Sequence, residues 1–166
     1  EYLSVRASEA FVIDSPLDDA ELASFPCSYS TAEGLLQRAQ VGAERVLITG
    51  ASGGVGSAAV QLAAMRGASV VAGTTGAHAD DVRGIGAGES VDRAGDLVDQ
   101  LGESSIDVVI DLVGGPHFES LLRVLRPGGR YATAGAVAGP HVALDLRDLY
   151  LKDLTFYGCT FHPKSV

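Results

Sequence analysis

Val46-Leu47-Ile48-Thr49-Gly50-Ala51-Ser52-Gly53-Gly54-Val55-Gly56-Ser57-Ala58-Ala59-Val60-Gln61-Leu62 is the stretch whose reading decides the fold. An apolar run rich in β-branched residues predicts a buried strand. It breaks into glycines, after which Val55, Ala59 and Leu62 recur at helical spacing. Strand, tight turn and helix form the opening unit of a dinucleotide-binding fold. Glycines allow a sharp turn and close approach of the backbone to a pyrophosphate, and the following helix aims its free N–H groups and positive dipole end at that charge. The spacing is Gly50-x-x-Gly53-x-x-Gly56, with Ala51 where the strict G-x-G-x-x-G pattern has its first glycine. Such turns also serve methyl donors and purely structural helix starts, so the flanks decide.

Working outward, strands and helices alternate. The pattern predicts strands over Val46–Thr49, Ser69–Gly73, Ser90–Val91, Val108–Leu112, Tyr131–Ala134 and Leu154–Cys159. Helices are expected over Val55–Arg66, Ala79–Gly84, Gly95–Leu101, Phe118–Leu125 and Leu144–Leu151, with Pro127-Gly128-Gly129 as a turn. Six strands joined by helices indicate an α/β, doubly wound parallel six-stranded (Rossmann) sheet. Upstream, Pro16 and Asp18-Asp19 open a short helix, and Phe25–Thr31 reads as a turn in which Ser28 or Ser30 caps a helix from Thr31 to Ala39. Glu1–Ile13 reads as extended. In such a sheet a ligand lies at the carboxyl ends of the strands, here Thr49–Gly54, Gly73–Thr75, Asp92-Arg93, Leu112–Gly115 and Ala134–Val137.

Composition narrows the partners. The chain has 166 residues, enough for one sizeable core, with 12 Lys+Arg against 21 Asp+Glu and a net charge of −9. That balance excludes nucleic acid as a main partner, because neutralising phosphates needs a basic face. No apolar run reaches membrane-spanning length and no signal peptide is visible. Two cysteines, Cys27 and Cys159, make no disulfide framework, so a reducing cytoplasm is the expected location. From a start at Glu1 rather than Met, a piece of something longer is expected.

Gly50-Ala-Ser-Gly-Gly-Val-Gly56 with Ala58-Ala-Val-Gln-Leu-Ala63, then Ile106-Asp-Val-Val-Ile-Asp-Leu-Val-Gly-Gly115, Leu125-Arg-Pro-Gly-Gly-Arg130 and Leu149-Tyr-Leu-Lys-Asp-Leu-Thr155, resemble in the same order the medium-chain dehydrogenases/reductases. That superfamily includes zinc alcohol dehydrogenases and quinone oxidoreductases. The resemblance implies that residues 14–166 are an NAD(P)-binding domain and that Glu1–Ile13 is the end of a separate GroES-like catalytic domain. It implies a small-molecule substrate and a homodimer joined through the last strand. Val113, Gly114, Gly135, Ala136, Thr160, Phe161 and Thr31 match positions where the family contacts the nicotinamide half of the cofactor, and Ser52, Gly53, Gly54 and Val55 match the pyrophosphate turn. Cys27-Ser28-Tyr29-Ser30-Thr31 is similar to the zinc-type members, in which a cysteine here is one of three protein ligands of a catalytic zinc. Cys27 would be one ligand, the others lying outside this chain; the alternatives are an inert packed thiol and a zinc-free quinone or enone reductase.

Cofactor choice is read at the end of the second strand, where an acid binds the ribose 2′-OH and repels a 2′-phosphate. Thr74 stands 21 positions after Gly53, where that acid is expected, and no acid occurs before Asp80. Thr74 and Thr75 tolerate a phosphate, while His78 and Arg93 add positive charge, so NADP(H) is favoured over NAD(H). Three other classes compete. A methyltransferase needs a ribose-binding acid that Thr74-Thr75 does not supply. A short-chain dehydrogenase needs Tyr-x-x-x-Lys, which is absent. A non-catalytic nucleotide-binding relative stays open. The reading is therefore an oxidoreductase cofactor domain, inactive alone, transferring hydride to or from an alcohol or carbonyl.

Overall fold

The computed structural model describes residues 4–160. Six parallel strands form one sheet in the order β3-β2-β1-β4-β5-β6. They are β1 Arg45–Thr49, β2 Ser69–Thr74, β3 Glu89–Asp92, β4 Ile106–Asp111, β5 Leu125–Thr133 and β6 Thr155–Gly158. The helices are α1 Asp19–Arg38, α2 Gly54–Met65, α3 Ala79–Gly84, α4 Leu97–Leu101, α5 Phe118–Val124 and α6 Leu146–Leu151. The expected doubly wound sheet is therefore present, and its order reverses between β1 and β4.

Strand periodicity of two divides the core. Val46, Ile48, Val70, Ala72, Val108, Ile110 and Ala132 face one side, against Leu35 and Leu36 of α1 and Ala59, Val60 and Ala63 of α2. Leu47, Val71, Val109 and Tyr131 face the other, against Leu97 of α4 and Phe118, Leu121 and Leu122 of α5. Burial on both faces explains why the central strands read as unbroken apolar runs rather than alternating ones. No described helix is long and apolar enough to cross a membrane.

Three expectations change. The predicted turn at Phe25–Thr31 and separate helix Thr31–Ala39 are one 20-residue helix, α1, with Pro26 inside it. Its cap is neither Ser28 nor Ser30 but Asp18, in a capping box: Glu21 N donates to Asp18 Oδ1 at 2.8 Å and Asp18 N donates to Glu21 Oε2 at 2.9 Å. That box starts the helix early, and packing of Ala32, Leu35 and Leu36 on α2 holds it through the proline. Second, Pro127-Gly128-Gly129 belongs to β5, which begins at Leu125 and takes up the extra residues as a register shift between Ile106 and Val108 of β4. Third, the extended N-terminal stretch contains a 3-10 turn at Ala7–Glu9.

Candidate functional site

The turn leaving β1 is drawn over the sheet end by Ala51 N, which donates to Gly73 O of β2 at 3.2 Å. Gly50 takes a left-handed backbone (φ +62°). Gly56 is required by closeness, since a Cβ there would stand 2.0 Å from Gly50 O. Gly53 is the N-cap of α2 and offers no side-chain acceptor, so the first-turn amides of Gly54, Val55 and Gly56 point out of the helix end. Ser52, Gly53 and Gly54 are exposed and Val55 is half-buried. A helix end with free amides, a positive dipole and no side chain in the way is chemically an anion seat. Ser28 of α1 leans over it, its Oγ 2.9 Å from where a Gly54 Cβ would be.

Beside this seat, across the switch between β1 and β4, lies a cleft of about 340 Å³. Thr49, Gly50, Gly73, Arg93, Asp111, Val113 and Gly114 line it together with the apolar Leu47, Leu97 and Leu121. Most of the lining is apolar, with Thr49, Asp111 and the exposed Arg93 as polar groups, which suits a flat heterocycle carrying polar substituents. A second, shallower hollow of about 480 Å³ follows the ends of β5 and β6, between Thr133, Gly135, Ala136, Gly158, Cys159 and Thr160. The predicted residues thus divide. Val113, Gly114 and Arg93 meet in the first cleft, and Gly135, Ala136 and Thr160 in the second. Phe161 lies outside the described residues.

The end of β2 behaves less simply than its sequence. Thr74 is 3 % exposed and absent from the cleft lining. Its Oγ1 is the one buried side-chain oxygen or nitrogen without a hydrogen-bond partner among the described residues. Thr75 is half-buried. His78 is exposed and its Nδ1 lies 3.1 Å from Asp81 Oδ2, while Asp80 pairs with Arg83 at 3.2 Å. Arg93 forms no ion pair among the described residues and lines the cleft.

Cys27 is exposed on α1, and Thr31, one turn along the same helix, is half-buried. No group of three His, Cys, Asp or Glu among the described residues could hold a metal ion. One thiol does not fix zinc, so a metal here would need donors from beyond this chain. Cys159 is half-buried on the second hollow and accepts a contact from Arg38 Nη1 at 3.1 Å.

The centre of the site is a residue that sequence reasoning did not single out. Asp111 ends β4 and is wholly buried. Thr49 Oγ1 and Tyr131 Oη each donate to it at 2.5 Å, Val113 N at 3.0 Å and Gly114 N at 3.1 Å. Burial first, and the neighbouring Asp111 charge second, push the Tyr131 hydroxyl far above its ordinary pKa, so it stays a donor. An acid inside the apolar run Val108–Leu112 was the available signal. A buried carboxylate must find donors, and those nearest in sequence are the amides of the next turn.

The family model of zinc-binding dehydrogenases matches residues 54–165. An acryloyl-coenzyme A reductase from Metallosphaera sedula is 34 % identical over 161 residues, covering 95 % of this chain and 48 % of that protein. The crystal structure of a candidate alcohol dehydrogenase from Sinorhizobium meliloti 1021 superposes with a TM-score of 0.89 at 50 % identity, covering 94 % of this chain and 45 % of that one. The quinone oxidoreductase of Thermus thermophilus gives 0.79 at 31 % identity, covering 92 % and 50 %. The chain spans about half the length of these relatives, which are oxidoreductases. With the family match running over most of its length, the chain belongs to the zinc-binding dehydrogenases of the medium-chain dehydrogenase/reductase superfamily.

Proposed function

We propose that the chain is the cofactor-binding half of an NADP(H)-preferring oxidoreductase, in which hydride passes between the nicotinamide and an alcohol or carbonyl. The observation that carries the dinucleotide reading is the uncapped end of α2, presented over the glycine turn beside a largely apolar cleft. The residues fit such a cofactor. The amides of Gly54, Val55 and Gly56 supply donors to a pyrophosphate. Ser52 and Gly53 leave the approach open, and the orphaned Thr74 Oγ1 has hydrogen-bonding capacity to spare at the end of β2. Val113 and Gly114 wall the cleft on the side of β4. Gly135, Ala136 and Thr160 floor the neighbouring hollow where a nicotinamide would lie, with Thr31 on α1 and Phe161 completing the proposed set. A bound nicotinamide supplies or accepts the hydride; the chain's own part is to hold it and exclude water on one face.

Preference for the 2′-phosphate rests on Arg93. It is the cation lining the cleft without a carboxylate partner among the described residues, whereas the acids Asp80 and Asp81 are each paired on α3. Arg93 N donates to Thr74 O at 2.9 Å, which ties it to the end of β2, and Thr75 and His78 belong to the same proposed set. The Thermus thermophilus relative was solved in complex with NADPH, which supports the same choice. Calorimetric titration tests it: NADPH should bind about tenfold more tightly than NADH, and Arg93→Ala should remove that margin, as loss of a charge-assisted contact does. Tighter binding of NADH by the wild type overturns the NADP(H) reading.

A catalytic zinc with Cys27 as one ligand belongs to the same proposal, because the thiol is exposed on α1 and thiolate is a favoured zinc donor. In the longer protein Cys27→Ser should then remove stoichiometric zinc and activity together while leaving NADPH affinity unchanged. A metal-free, active wild type selects the second reading, a zinc-free quinone or enone reductase. The quinone oxidoreductase and acryloyl-coenzyme A reductase among the relatives favour keeping that alternative. The outer edge of β6, unpaired among the described residues, supports a homodimer through that strand, which size-exclusion chromatography with light scattering would register. Two free cysteines suit the reducing cytoplasm.

A further inference from the structure

Asp111 does more than satisfy itself. Its carboxylate takes bonds from neutral groups on three separate segments. Thr49, the residue before the glycine turn, donates through its hydroxyl, and the same oxygen accepts from Leu112 N at 3.0 Å. Val113 N and Gly114 N fix the turn after β4, where Gly114 takes a left-handed backbone (φ +63°). Tyr131 reaches in from β5. The β4 turn in turn seats the loop after β5: Ala138 N donates to Val113 O at 2.8 Å. A Cβ on Gly114 would press on Gly139 O at 3.0 Å and Ala136 Cα at 3.3 Å. Thr49, Val113, Gly114 and Ala138 line the first cleft, and Ala136 the second hollow.

Resting on the dinucleotide reading above, we infer that Asp111 is a positioning residue for the cofactor, its carboxylate holding the glycine turn, the β4 turn and the β5 loop in one register. It need not touch the cofactor. An ionised carboxylate accepts on both oxygens, so it serves two hydroxyls and two amides together. An asparagine offers one acceptor oxygen and turns an NH2 toward donors, which forces at least one loop away. A dinucleotide bridging the loops binds only as well as their spacing allows.

The test uses the chain as it stands, titrated calorimetrically with NADPH and, separately, unfolded in urea. Asp111→Asn should raise the NADPH Kd about tenfold or more under conditions where the variant remains folded, and should speed amide exchange at Val113 and Gly114. Tyr131→Phe, which removes one bond and keeps the charge, should raise Kd about threefold and covers the case in which Asp111→Asn does not fold. Asp107→Asn is the control. Asp107 ties the same two strands at their opposite end by accepting from Arg45 N at 2.7 Å, so its loss should lower stability without moving Kd. A Kd within about twofold of wild type in Asp111→Asn and Tyr131→Phe, or an equal rise in Asp107→Asn, overturns the inference while the dinucleotide reading stands. A wild type that binds neither NADPH nor NADH overturns both.

Discussion

Gly53 and Gly56 share a turn and answer to different demands. Gly53 has an ordinary extended backbone (φ −81°), and a Cβ on it would meet Gly50 O at 3.3 Å. Gly53→Val should therefore fold and lose NADPH affinity, because the added side chain rises where a phosphate has to approach. Gly56→Ala should fail earlier. With backbone 2.0 Å from the new Cβ, the cost falls on folding itself, about 3 kcal/mol or more in urea unfolding. Thr74 predicts an opposite pairing of effects. Replacing its unpartnered, buried hydroxyl by Thr74→Val should raise the stability of the ligand-free chain by about 1 kcal/mol and weaken cofactor binding if the hydroxyl receives the ribose. Thr74→Asp is the less useful variant at a site 3 % exposed, since it buries a carboxylate that must find donors. Sequence spacing ended the second strand at Gly73, one residue short of the observed end at Thr74, and carried no information on which way the Thr74 side chain turns. The same blindness hid Asp111, whose importance lies in partners up to 62 positions away.

At the scale of elements, what was legible had local causes. Helix α3 and the glycine-turned α2 follow from spacing and turn chemistry alone. Helix α1 does not, because Pro26 and the serines around it read as a break, and only burial of its second half against α2 outweighs them. Pro26 lacks the amide that would bond Leu22 O, so that carbonyl loses its helical donor, while Ser30 Oγ donates to a different carbonyl, Pro26 O. Because α1 runs unbroken through this position, Pro26→Ala should raise stability by about 1–3 kcal/mol in urea unfolding. Lys152 shows another non-local tie: its ammonium donates to Leu122 O, Arg123 O and Leu125 O at 2.6 to 3.1 Å, closing the end of α5. Lys152→Met should cost about 1–3 kcal/mol by stranding those carbonyls. Helix α6 has a pH signature. Arg147 holds the Asp145 N-cap carboxyl at about 2, below its ordinary 3.8. A depressed folded pKa means that the cap's contribution is complete above pH 3.8 and is lost as pH falls toward about 2. The Asp145 carboxyl resonance should titrate in that low range and move only part of the way back in Arg147→Ala, which removes the guanidinium but keeps the backbone N–H of residue 147 on Asp145 Oδ1.

For the whole molecule, the strand order β3-β2-β1-β4-β5-β6 sets the order in which the chain can close. The first three strands pair outward from β1, Val46 with Val70 and Val71 with Glu89. The inner edge of β1 waits for β4, where Val46 meets Val108. During synthesis the polypeptide therefore passes through a stage in which a finished strand, apolar through Val46, Leu47 and Ile48, has one ladder of backbone donors and acceptors and no neighbour. Long-range parallel pairing is slow, and an open apolar edge recruits other nascent chains. Truncation at Ser105, just before β4, should give an aggregating product, whereas one carried through Asp111 should be the first to gain a protease-resistant centre. The seam across which a dinucleotide would lie is thus the gap that stays open while β2 and β3 are made, so the same strand order that creates the cleft also delays the closing of the centre of the sheet.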